Sequence, residues 1–172
     1  GGVDVLETIQ VRHLLMLLAI GGMFAGSAVA IYQVNIKRML AYSSVAQLGY
    51  MVLGISMANV TGVAAGIVHM FNHALTKGGL FMAMGCVFYR IGSVSIDSMR
   101  GLGSRMPWTM AAFVAGGMSL IGVPLTVGFV SKWYLLLAAV EQNLWWVVVF
   151  LIIASLMAII YVWRVVEAAY FS

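Results

Sequence analysis

Gly122-Val-Pro-Leu-Thr-Val-Gly-Phe-Val-Ser-Lys132 interrupts an apolar run that reaches from residue 108 to residue 139. The run is too long for one membrane crossing, which takes about 20 residues, and too short for two crossings joined by a turn. Pro124 removes a backbone donor, and Gly122 and Gly128 let the chain unwind. One helix with an unwound middle fits. Non-helical backbone at membrane depth is tolerated only against protein or a water-filled cavity, and in transporters such breaks mark the transport site.

Around this segment the composition is that of a membrane protein. Of 172 residues, 63% are hydrophobic and 8% charged, against roughly 25% charged in a soluble domain. A net charge of +4 would suggest nucleic acid in a soluble chain. Here the basic residues stand at the ends of apolar segments, where they orient a protein in the bilayer, and no nucleic-acid role is expected. The single Cys86 cannot close an internal disulfide and is expected to be a small core residue. Gly1-Gly-Val-Asp-Val-Leu-Glu7 lacks an initiator Met and a basic leader, and Ala168-Ala-Tyr-Phe-Ser172 ends abruptly. The chain is therefore expected to be a fragment of a larger transporter subunit, residues 1–172 forming one transmembrane domain.

Five spans emerge, at about 13–36, 39–58, 62–89, 108–139 and 144–163, the fourth being the discontinuous one. With this count Lys37, Arg38, Arg90, Arg100, Arg105 and Arg164 fall on one side, and only Arg12 on the other. The positive-inside rule makes the basic side cytoplasmic, with the 37–38 turn and the 90–105 loop there. Small residues at four-residue spacing, Gly22/Gly26 and Gly62/Gly66, suit close helix approach.

The third span carries Gly66-Ile-Val-His-Met-Phe-Asn-His-Ala-Leu-Thr-Lys-Gly-Gly-Leu-Phe81. His69, His73 and Lys77 are four residues apart and share one helix face, about 6 Å of rise between neighbours. Imidazoles exchange protons near neutral pH, and ionisable groups at membrane depth are expensive and usually serve ion or proton traffic. Lys77 lies about 20 Å along the helix from Arg90, too far for its side chain to reach the interface. For His69 alone an interhelical hydrogen bond is an equally good explanation; the shared face favours a proton relay. Lys132 follows the break and stands well short of the polar end at Glu141, which argues against its being an aromatic-belt anchor beside Trp133 and Tyr134. Lys37 and Arg38 read first as topology anchors, with Tyr42, Ser43, Ser44 and Gln47 extending a hydrated path into the second helix. Arg164 and Glu167, three apart, read as an interfacial pair.

Other chemistries leave no trace. No Cys or His spacing suits zinc or an iron–sulfur cluster, and neither a phosphate loop nor a nucleophile elbow is present. Haem ligation by His69 or His73 has no cofactor signature behind it. No metal, cofactor or catalytic chemistry is expected in this chain.

Asn35-Ile-Lys-Arg-Met-Leu-Ala-Tyr-Ser-Ser44 with Gln47-Leu-Gly-Tyr50 resembles the signature of antiporter-like subunits, found in respiratory complex I, related hydrogenases and Mrp-type cation/proton antiporters. His69, His73 and Lys77 match that family's relay residues, and the 122–132 stretch matches its second broken helix and key lysine. The resemblance covers essentially the whole chain. Asn72-His-Ala-Leu-Thr-Lys77 and Ser131-Lys-Trp-Tyr-Leu-Leu136 look most like the D-type subunit of Mrp antiporters, and Lys132 separates the chain from the complex I branch that carries an acid there. Asn35 departs from the family's frequent Asp.

The resemblance implies an all-α bundle equivalent to the second of two inverted halves of about five helices each. It implies a proton path at mid-membrane from Lys77 and the histidines to Lys132, in a bacterial plasma membrane. Proton movement would be exchanged against sodium or another monovalent cation in an antiporter. In a proton-pumping NADH:quinone oxidoreductase or hydrogenase it would be driven by redox chemistry in other subunits. Either way the partners are further membrane subunits, protons and lipid. A membrane scaffold, the reading of another class, would leave the buried basic groups without a task.

Overall fold

The computed structural model describes residues 9–171. Gly1–Glu7, on which the reading of the chain's start rests, and Ser172 lie outside the described residues. Among the described residues seven helices follow one another: α1 (Ile9–Ile31), α2 (Ile36–Ser56), α3 (Val60–Ile91), the one-turn α4 (Leu102–Arg105), α5 (Pro107–Ile121), α6 (Val127–Glu141) and α7 (Trp145–Phe171). A 3-10 turn at Ile96–Met99 precedes α4. The fold is an all-α bundle, as composition required. By length and composition three of the described helices can cross a membrane: Val11–Ile31, Ile36–Ser56 and Trp145–Phe171.

Side-chain caps set the helix starts. The amide oxygens of Asn35 and Asn59 accept from the N–H groups of Arg38 (3.2 Å) and Gly62 (2.7 Å), satisfying donors that a helix N-terminus leaves free. The first apolar segment, read as 13–36, therefore overruns a turn: α1 stops at Ile31 and Asn35 opens α2. Pro107 takes the first position of α5, where a missing N–H costs nothing.

The basic groups gather at one end. Ile36 N donates to Val94 O (2.9 Å) and Ile96 N to Val34 O (2.9 Å), tying the turn before α2 to the loop after α3. The Arg164 guanidinium donates to the carbonyls of Ile31 and Gln33, the latter at 2.9 Å, instead of pairing with Glu167 as its spacing suggested. At the other end Glu141 accepts from Thr61 (3.2 Å) and Asn59 (3.5 Å).

Helix α3 is the hub, packing on α2, α5 and α6. Its approach to α2 is backbone to backbone: a Cβ on Gly54 would stand 2.6 Å from Gly62 O, and one on Gly66 3.0 Å from Met51 O. Of the Gly22/Gly26 pair only Gly26 is at such a contact, 2.7 Å from Ala46 N, while Gly22 meets open space. Cys86 is exposed on α3, not in the core.

The buried apolar residues form two separate clusters. One, at the basic end, joins Met39 and Leu40 of α2, Leu80 to Val87 of α3, Phe113 of α5 and Ala158 to Ala169 of α7. The other joins Met16 and Met23 of α1, Leu53 of α2 and Met57 just after it, Ala65 of α3, Leu135 of α6 and Leu151 of α7. Between them lies a layer that holds most of the buried polar side chains. Ser43 and Gln47, His69 and Lys77, Ser119, and Ser131 and Lys132 are all buried there.

Candidate functional site

The break between α5 and α6 sits in this polar layer. Gly122 ends α5 in the left-handed region at φ 92°, and Leu125 is also left-handed at φ 77°. Val123 and Pro124 cross between them, and Gly128 already belongs to α6. A Cβ on Gly128 would lie 1.8 Å from Ser119 O, so only glycine lets the two half-helices come this close.

Several backbone groups at the break are met by side chains from the layer. Gly128 N donates to Ser119 Oγ (3.1 Å), and Val127 O accepts from Asn72 Nδ2 (2.7 Å) of α3. The Lys132 ammonium donates to the α5 carbonyls of Leu120 and Ile121, both at 2.9 Å, and to Ser155 Oγ of α7 at 3.4 Å. A cation at the C-terminal end of α5 also meets the negative pole of that half-helix. Its nitrogen stands 4.7 Å from the centre of the Tyr50 ring. Lys132 is 7% exposed while Trp133 and Tyr134 face outward, so the lysine is not a belt residue.

Lys77, 5% exposed, makes the matching arrangement on α2. Its ammonium donates to Leu40 O (2.8 Å), to Ser44 Oγ (2.9 Å) and to Ser43 Oγ. Both hydroxyls in turn donate to Leu40 O, Ser43 at 2.7 Å and Ser44 at 3.1 Å. Among the described residues every acid (Asp97, Glu141 and Glu167) lies towards an end of the bundle. Among these residues neither ammonium has a carboxylate partner. Both are held by neutral oxygens alone.

The histidines occupy the space between. His69 is 3% exposed and uses both ring nitrogens: Nδ1 meets Ser131 Oγ and Nε2 meets Gln47 Oε1, each at 2.7 Å. Neither nitrogen is free for a haem iron. His73 is half-buried, and its buried Nε2 has no hydrogen-bond partner among the described residues. It lines a cavity of about 10 Å³ with His69, Asn72, Thr76 and Ser119, roughly the room one water needs. Thr76 and Ser119 share a hydrogen bond of 3.1 Å across it. A larger cavity of about 310 Å³ opens beside Lys132, between the break, Tyr50 and α7.

The structure thus brings His69, His73, Lys77, Lys132, Ser43, Ser44, Gly122 and Gly128 into one connected polar region inside the bundle. Pro124 is in the break but exposed. Lys37 and Arg38 stay exposed at the basic end, Lys37 lying 5.0 Å from the Phe88 ring centre, and Tyr42 points outward. These three do not line the layer. Sequence reasoning passed over Ser119, Thr76, Asn72 and Ser155; a serine just inside either edge of an apolar run was the signal available.

A family model described as NADH:quinone oxidoreductase/Mrp antiporter, TM, matches residues 3–158. NADH-quinone oxidoreductase subunit N of Desulforudis audaxviator is 46% identical over 153 residues, 89% of this chain and 30% of its own length. Among solved structures, the membrane-bound sulfane sulfur reductase, an archaeal respiratory membrane complex, matches with TM-score 0.88 and 37% identity. That match covers 94% of this chain and 33% of the matched chain. The Mrp complex from Dietzia sp. DQ12-45-1b matches with TM-score 0.89 and 26% identity, over 92% and 30%. The chain spans about a third of the length of the curated relatives it matches. The subunit N relative stands nearer than the Mrp complex, against the affinity to the D-type Mrp component expected from sequence. The chain belongs to the NADH:quinone oxidoreductase/Mrp antiporter transmembrane family.

Proposed function

We propose that this chain is the proton-carrying portion of a subunit N-type membrane subunit in a proton-pumping quinone oxidoreductase. The observation that carries the reading is the pair of buried ammonium groups, Lys77 and Lys132, bound by carbonyls and hydroxyls with no acid beside them among the described residues. Burying a charge without a counter-charge is costly. A structural role would favour a neutral side chain, whereas a carrier needs a group that takes and gives up a proton in place. His73 and His69 stand between as intermediate stations, giving the order Lys77, His73, His69, Lys132.

Transport then proceeds through five crossings, α5 and α6 together making the fourth, with the arginine-rich end in the cytoplasm of a bacterial cell. Other membrane subunits complete the assembly and supply the redox drive. The subunit N relative supports this assignment over exchange for sodium, the Mrp-type reading. In the full-length subunit within its complex, Lys132→Ala is expected to lower proton flux at least about 100-fold, on the scale of a lost proton-transfer group. Assembly should persist. Flux in inside-out vesicles reads the result, and normal flux would sink the relay. Proton uptake on adding a reduced donor supports the redox assignment; uptake on a sodium jump alone supports the antiporter.

A further inference from the structure

The bonds of His69 restrict how it can handle a proton. Gln47 presents its carbonyl oxygen to Nε2 at 2.7 Å. An amide oxygen only accepts, so Nε2 must carry the hydrogen. In neutral imidazole Nδ1 is then the lone-pair nitrogen. Ser131 Oγ lies 2.7 Å from Nδ1 and 3.3 Å from Gly128 O, so its single hydrogen goes to the nearer acceptor, the ring.

Resting on the relay reading above, we propose that Gln47 locks His69 in its Nε2–H form, and that His69 exchanges protons only at Nδ1, through the Ser131 hydroxyl. Gln47 is a positioning residue; Ser131 is the carrier. The step balances without a further reactant. A proton delivered to Ser131 Oγ by an ammonium or protonated water forms a new O–H bond, the serine's original O–H bond breaks, and an N–H bond forms at Nδ1. The serine ends neutral and the imidazole positive. Once Nδ1 carries hydrogen it donates to Ser131, and the hydroxyl turns to Gly128 O, the acceptor at 3.3 Å. His69 thus takes up its proton and passes it on through the same Ser131 hydroxyl, since Gln47 cannot accept a proton on the far side.

The test uses the full-length subunit in its complex, labelled with nitrogen-15 histidine and reconstituted in lipid. A His69→Gln sample assigns the signals. The expected spectrum at high pH shows His69 with a protonated Nε2 and a bare Nδ1. In Gln47→Leu the preference is lost, and in Gln47→Glu, which keeps the acceptor, it is retained. Ser131→Ala is expected to lower proton flux about tenfold, the loss of one hydrogen-bonded step, while Ser131→Thr keeps it. A protonated Nδ1 in the unmodified protein, an unchanged spectrum in Gln47→Leu, or full flux in Ser131→Ala would each overturn the proposal. Full flux in Lys132→Ala would instead overturn the relay itself, whatever tautomer His69 holds.

Discussion

Ser119 shows how much a single hydroxyl does at this site. It accepts from Gly128 N, bonds Thr76, and so joins α3, α5 and α6. Ser119→Ala leaves the Gly128 amide buried without a partner, at a cost of about 1–3 kcal/mol. Thermal unfolding of the purified subunit should register that loss, and an unchanged midpoint would mean that another group replaces the serine. The four-residue spacing of His69, His73 and Lys77 was legible in the sequence because helical periodicity alone puts them on one face. The partners were not. Gln47, Ser119 and Ser131 are reached from other helices, and no local pattern encodes which serine faces which lysine. For the same reason Cys86 misled: a small apolar residue in a greasy helix carries no sign of which way it points.

At the level of the helix, the break is the feature that sequence described best, because Pro and Gly act locally. Its end point shifted by a turn, since Gly128 is needed for contact with Ser119 O rather than for unwinding. Gly128→Ala forces a methyl into that carbonyl and is expected to separate α5 from α6, destabilising the fold by about 1–3 kcal/mol or more. Gly122→Ala meets two penalties, a left-handed backbone at φ 92° and a Cβ 2.7 Å from Lys132 Cδ. It should displace the ammonium from the α5 carbonyls. A drop in flux larger than the stability loss explains would be the mark of that displacement; equal flux at wild-type stability would contradict it. The end of α1 was misplaced for a plain reason: nothing in its apolar run distinguishes Ile31 from the residues of the turn, whereas Asn35 announces the next helix.

Across the whole molecule, the polar layer is flanked by two apolar cores that have no buried residue in common. Leu53 belongs to one and Phe113 to the other, and both are almost wholly buried. In lipid the transfer term is small, so truncation costs mainly lost packing. Leu53→Ala and Phe113→Ala are each expected to lower stability by about 2–5 kcal/mol, nearer the low figure. Denaturant titration in detergent would reveal it, and flux per folded complex should be unchanged. The two cores also behave as insulators on either side of a conductor. A proton on Lys77 or Lys132 is separated from each water phase by a mainly apolar slab, in which the hydroxyls of Tyr161 and Ser56 are buried polar exceptions, so a hop along the layer costs less than escape through either slab. Wetting one slab by a polar substitution such as Leu53→Ser would therefore be expected to leave the lysines loaded but let the stored gradient drain.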